Sequence, residues 1–373
     1  MKRHILHTDA GASALTYGLL VGLISITALV AITSTGDSTD QIFTGVSDSL
    51  QGAIDSTGAG GGGEAAPSGP GEEEFAFSSH TFTTCGQTNS RSGPAFSACQ
   101  AEYSGEAWSS DPAFFSEGSF TGYQVWTVPA TGQYRITAAG ASGGEDEGVI
   151  GHGYELTGTF NLTSGDKLTI AVGQTGSGTG GTSSGGGGSF VALGANASTA
   201  TPLVIGGGGG GYRTGPTNCD EINATSPAFP LGNGTCVSSG YGACNNGAST
   251  PGQGGQLCST GPSNAGCPGG TGAGFEGNGL DGPCLTNTAP LSFRNGLTGG
   301  ERGTSNSEGG FGGGSSSGNG GCGAGGGYSG GGAHDHNCGG GASYMDGGAS
   351  NVSEAGVRSG SSPLVGFVTI ERL

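Results

Sequence analysis

Between residues 206 and 348 the chain holds 48 of its 88 glycines, in runs such as Gly206–Gly211, GGFGGG at 309–314 and GGCGAGGGYSGGG at 320–332. This clustering limits the fold more than any other feature. An interior glycine costs a helix about 1 kcal/mol relative to alanine, so a long helical bundle is excluded there. No strict Gly-X-Y period runs through the segment, so collagen is excluded too. Polyglycine has too few side chains to order by side-chain packing. It can order through its backbone, because chains without Cβ atoms approach closely and pair N–H with C=O in a polyproline-II-like conformation. The expectation is a bundle of polyglycine-II helices at 206–348; the competing reading is a low-complexity spacer.

The flanking sequence is strand-like. FAFSSHTFTTCG from Phe75 alternates as a half-buried strand does. Further runs lie at 123–128, 132–138, 154–160, 167–172, 189–193, 202–205 and 363–370. Turn chemistry such as Pro129-Ala130-Thr131-Gly132 separates them. Short strands with close turn spacing point to a sandwich or jelly roll. The last run must return from the glycine-rich excursion to close a sheet. Trp108, Phe114, Phe115 and Tyr123 are expected in its core. Tyr212, Tyr241, Phe275, Phe311, Tyr328 and Tyr344 sit among glycines, where few neighbours can bury them; they are expected to cap glycine helices or to form contact surface.

The N-terminus is different. Lys2 and Arg3 precede a stretch from Ala10 to Gly36 without a charge, long enough to cross a bilayer as a helix. Gly11 stands just before the apolar run, followed by Ala12-Ser13-Ala14-Leu15-Thr16-Tyr17-Gly18-Leu19-Leu20. This arrangement resembles the Flp-type prepilins of tight-adherence (type IVb) pili. The resemblance implies a leader at 1–11, cleavage by a prepilin peptidase between Gly11 and Ala12, and a pilin-like helix at 12–51. It also implies bacterial origin. That family usually carries Glu-Tyr where this chain has Thr16 and Tyr17. The missing glutamate removes the partner for a neighbour's N-terminal amine, as suits a subunit with none ahead of it. Residues 52–74, rich in Gly, Pro and Ser and ending in Glu72-Glu73-Glu74, form a flexible linker.

From about residue 80 the motifs FTTCG, SGPAFSACQAEY, FTGYQVWTVPATGQYRITAAGASGG, PLVIGGGGGGY and GFVTIERL resemble the glycine-rich extracellular domain of the anaplastic lymphoma kinase and leukocyte tyrosine kinase receptors. The resemblance implies one β domain over 75–373, a jelly roll like that of tumour necrosis factor fused to the glycine-helix bundle. The receptors bind polypeptide cytokines, but the cysteine-containing insertion at 212–300 prevents transfer of contact residues, and no kinase segment is present.

All ten cysteines follow the apolar helix, as an oxidising compartment permits. Cys85 with Cys99 would close a local loop, and Cys322 with Cys338 would bracket glycines. Cys219, Cys236, Cys244, Cys258, Cys267 and Cys284 would pair among themselves. Other connectivities stay open. His334-Asp335-His336 is the best metal-like cluster, but no other histidine lies nearby and a disulfide explains Cys338 better. Glu145-Asp146-Glu147 reads as a solvated loop. No metal and no cofactor is expected.

With 10 Lys+Arg against 28 Asp+Glu, the chain has a formal charge of −18, which argues against nucleic acid as a partner. Gly176–Gly181 matches GxGxxG, but glycine is too frequent for that to signify and no βαβ context exists. No catalytic constellation stands out, so the chain is not expected to be an enzyme. The expectation is a minor, tip-located pilin-like adhesin. Its partners would be other pilin subunits through the N-terminal helix, a prepilin peptidase, and a surface, glycan or protein ligand. It would occupy the inner membrane before assembly and the cell exterior afterwards. The alternatives are a structural shaft pilin and a membrane-tethered surface protein without a pilus role.

Overall fold

Short, twofold-periodic apolar segments dictate a mainly β architecture. The computed structural model describes residues 77–178, 180–213, 222–226, 250–257, 269–282, 289–302, 307–318, 321–333 and 338–373. The leader and helix at 1–51, with Gly11, Ala12, Thr16 and Tyr17, and the linker at 52–74 lie outside the described residues. So do Cys219, Cys236, Cys244, Cys258, Cys267, Cys284, His334, Asp335, His336 and Tyr241. Among the described residues no helix is long and apolar enough to cross a membrane.

Two antiparallel sheets organise the described chain. The strands are β1 (Ser79–Phe82), β2 (Phe115–Glu117), β3 (Gln124–Thr127), β4 (Gly132–Ala139), β5 (Tyr154–Leu162), β6 (Lys167–Ala171), β7 (Ser189–Leu193), β8 (Thr201–Gly206), β9 (Tyr344–Met345), β10 (Ser350–Val357) and β11 (Phe367–Arg372). Sheet one has the order β1-β11-β4-β5-β10, and sheet two β2-β3-β6-β7-β8-β9. The final strand does return: β11 lies between β1 and β4, with Phe82 opposite Val368 and Ile136 opposite Ile370. A short helix α1 (Phe96–Glu102) follows β1.

The alternation of β4 buries Tyr134, Ile136 and Ala138 on one side. These join Phe82, Trp126, Leu156, Leu168, Ile170, Val191, Val204, Val368 and Ile370 in a core fed by both sheets. Trp108, Phe115 and Tyr123 are fully buried and Phe114 half-buried. Sheet two is covered on both faces. Val191 faces the shared core, whereas Phe190, Ala192 and Ile205 join a second cluster with Tyr123, Phe275, Phe293, Leu297 and Phe311. Double coverage explains why SFVAL and PLVI read as continuous apolar runs.

The second cluster corrects one expectation. Phe275 and Phe311 are fully buried despite their glycine-rich surroundings, because they insert against the outer face of sheet two. Tyr212, Tyr328 and Tyr344 are half-buried.

The glycine segments are held by backbone hydrogen bonds with a period of three. The N–H groups of Gly208 and Gly211 donate to Gly326 O and Gly323 O, each at 2.8 Å. The carbonyls of the same two glycines accept from Gly341 and Cys338. Gly209 takes a third and a fourth neighbour, donating to Ala141 O and accepting from Gly186. Three residues per repeat is the turn of a polyproline-II-type chain. A Cβ on Gly210 would overlap the carbonyl of Cys338, so this packing requires bare backbone there. The array also reaches beyond 206–348: segments 140–144 and 173–188, between strands of the sheets, contribute to it.

Candidate functional site

The described cysteines form two bonds. Cys85 joins Cys99 with Cα atoms 4.9 Å apart, tying the end of β1 to α1. Cys322 joins Cys338 with Cα atoms 5.7 Å apart, both fully buried among the glycine segments. All four cysteines are buried, and each bond ties two chain segments together inside the domain.

Beside the first disulfide lies an aromatic chamber. His80, 9% exposed, meets Phe82, Tyr103 and Trp108 edge-on at 4.8, 4.8 and 4.7 Å. Its Nδ1 stands 3.5 Å from Glu106 Oε1. Burial pushes the imidazole pKa down, partly opposed by Glu106 and Glu102. Phe77 leans over this group, 5.0 Å from the Trp126 ring and 5.9 Å from Trp108. Four buried polar atoms here lack a hydrogen-bond partner: His80 Nε2, Trp108 Nε1, Trp126 Nε1 and Gln124 Oε1.

A second aromatic group reaches the surface of the glycine array. Tyr328 and Tyr344 stack at 4.3 Å, 28° from parallel, and both are half-buried. Backbone bonds fix them: Tyr328 N–H donates to Ala342 O, and Tyr344 pairs with Ile205 of β8. Burial raises both phenol pKa values, with the charge of Glu276 adding to the effect on Tyr328 and that of Asp346 on Tyr344. Gly252 fills the corner between Glu276 and the Tyr328 ring, and the exposed Gln253 follows it. Glu276 is itself held by Arg294, whose Nε and Nη2 donate to its two oxygens at 3.0 and 2.8 Å. The Arg294 guanidinium also lies 4.6 Å over the Phe275 ring.

The carboxylates of the acidic turn at 145–147 accept backbone N–H groups, one from the turn and one from a distant segment. Glu145 Oε1 accepts from Gly148 N at 2.6 Å, and Asp146 Oδ1 from Gly181 N at 3.2 Å. Among the described residues no three His, Cys, Asp or Glu side chains converge as a metal site. The surface geometry offers stacking area and hydrogen-bond acceptors, which is the chemistry of recognition. The sequence marks Tyr328 and Tyr344 singly, but no sequence signal pairs them with each other or with Glu276 and Gln253.

No family model matches the chain. Curated proteins are similar to part of it. The likeness is to a receptor. Mouse (Mus musculus) leukocyte tyrosine kinase receptor is 40% identical over 98 residues, 26% of this chain and 11% of the receptor. The chain thus spans about a tenth of that receptor's length. The receptor-like stretch and the two disulfides are features of an extracellular or secreted domain.

Proposed function

We propose that the chain is a minor, tip-located, pilin-like adhesin of a bacterial tight-adherence pilus, with the described domain as its binding head. In this reading the two sheets form a jelly roll, and the glycine segments a polyglycine-II bundle fused to it. The apolar N-terminal segment anchors the subunit in the inner membrane and then in the filament. One observation carries the binding-head reading. The glycine array is pinned to several neighbours at once by backbone bonds and closed by Cys322–Cys338, so it presents its few surface side chains on a rigid support. A rigid surface loses little conformational entropy on association.

The pilus reading is tested by mass spectrometry of the mature N-terminus and by immunogold labelling. Cleavage before Ala12 and label confined to filament ends are expected. An uncleaved Gly11–Ala12 bond, or uniform label along the shaft, refutes it. The receptor likeness favours a second reading, a surface-binding protein tethered by its N-terminal helix without a pilus. An intact N-terminus on surface-exposed protein would select that reading.

A further inference from the structure

We propose that His80 is an acid-sensitive latch, whose protonation releases β1 and Phe77 from the domain and opens the aromatic chamber beneath them. The proposal concerns this domain alone and stands whether or not the chain enters a pilus.

Four observations carry it. First, β1 is an edge strand. Among the named strands it pairs only with β11, over the four residues Ser79–Phe82. A short edge strand opens locally more readily than the central pairing of β4 with β5. Second, His80 fastens the middle of this strand. It is 9% exposed, and its ring stands nearly at right angles to those of Phe82, Tyr103 and Trp108. Phe77, 5.7 Å from the His80 ring, closes the group over Trp126. Third, a charged imidazole is poorly received there. The carboxylates that face it are Glu106, 3.5 Å from Nδ1, and Glu102 of α1, while β11 places Ile370 opposite it. In the charged ring both nitrogens are donors, and Nε2 is buried with no group to receive its proton. Burial outweighs the two carboxylates and holds the pKa below its ordinary value, so the opened strand binds the proton more tightly than the closed one. Fourth, opening satisfies other groups. The indole nitrogens of Trp108 and Trp126 are buried without a partner, and their hydration offsets part of the cost of opening.

An imidazolium held by ring faces is the competing outcome, in which acid would tighten the chamber. Desolvation is the larger effect on a ring this buried, and it favours opening.

The test follows tryptophan emission and acrylamide quenching of the full chain in detergent micelles from about pH 7.5 to about pH 5. Trp108 and Trp126 are the chain's two tryptophans, so the signal reports this chamber. Emission should move to longer wavelength and quenching should rise at least about twofold as the pH falls. At the acid end, hydrogen-exchange protection of Ser79–Phe82 should drop at least about tenfold, while β4 keeps its protection. His80→Phe keeps a ring and takes no proton, so it should lose the response. Glu106→Gln removes the leading charge that favours protonation of the closed strand, so it should enlarge the response; it also guards against a folding fault in the first variant. Emission that stays constant or moves to shorter wavelength would overturn the proposal. So would joint loss of protection in β1 and β4, a response kept in His80→Phe, or one diminished in Glu106→Gln.

Discussion

The rings of Phe275 and Phe293 stack 4.5 Å apart and 11° from parallel, and both are fully buried. Phe275 comes from a glycine segment and Phe293 from the 3-10 turn Phe293–Asn295. Phe293 lies 5.7 Å from Phe190 of β7 and 5.1 Å from Tyr123. The Tyr123 hydroxyl also donates to Phe293 O at 2.6 Å. A column of rings therefore joins the glycine array to the outer face of sheet two. Side chains make this one junction, and backbone bonds hold the array itself.

Removing one ring should loosen that junction. Phe275→Ala leaves a cavity in the second cluster and also takes away the surface beneath the Arg294 guanidinium. The expected loss is about 3–5 kcal/mol in chemical denaturation of the full chain in micelles. A loss below about 1 kcal/mol would show that the ring column is not holding the two parts together.

Close backbone approach makes some glycines irreplaceable and leaves others free. A Cβ on Gly187 would overlap the Phe311 carbonyl, whose oxygen also accepts from Gln174 N–H at 2.9 Å. Gly187→Ala should therefore fold poorly or melt well below the parent. A methyl group on Gly105 would meet nothing within 4 Å. Gly105→Ala should be neutral or stabilise by about 0.4–1 kcal/mol. Thermal melts of the two variants compare the sites directly, and equal melting points would contradict the packing described for Gly187.

Most of the sheet framework is legible in the sequence, because its strands bury side chains at period two or on both faces. β10 is not. SNVSEAGV has only Val352 and Val357 as large apolar groups, both exposed, and the strand is held by its backbone pairing with β5. The glycine array is legible in kind but not in register. Nothing in the glycine runs says that Gly208 pairs with Gly326 and Gly341, since no side-chain pattern distinguishes one glycine from the next. Among the site residues, Tyr328 and Tyr344 are visible as isolated aromatics. Their stacking follows from backbone bonds, and so it could not be read in advance.

The Cys322–Cys338 bond should protect the centre of the array. Gly211 donates to Gly323 O, next to Cys322, and accepts from Cys338 N–H, so the disulfide closes around it. Hydrogen exchange should find the amides of 208–211 protected in the parent chain. Replacing both cysteines by serine should speed exchange there and cost about 2–4 kcal/mol. Fully exposed amides in the parent would return this region to a spacer. Unchanged exchange in the double variant would show that backbone bonds alone suffice.

Acidification should destabilise the domain through His80. Burial holds its folded pKa below the ordinary 6.5, although Glu106 and Glu102 pull the other way. The unfolded chain therefore binds a proton at a pH where the folded chain still does not. Stability contributed by the neutral imidazole is present above about pH 6.5 and is lost as pH falls from there toward the folded value. His152 shifts in the same direction, through burial and then the charge of Arg358, and adds to the slope. The melting temperature should thus fall between about pH 7 and pH 5. His80→Phe, which keeps a ring against Phe82, Tyr103 and Trp108, should flatten that fall. Glu106→Gln removes the leading charge that favours protonation and should steepen it. Thermal melts followed by circular dichroism across this range check both signs, and an unchanged slope in His80→Phe would assign the acid sensitivity to another group.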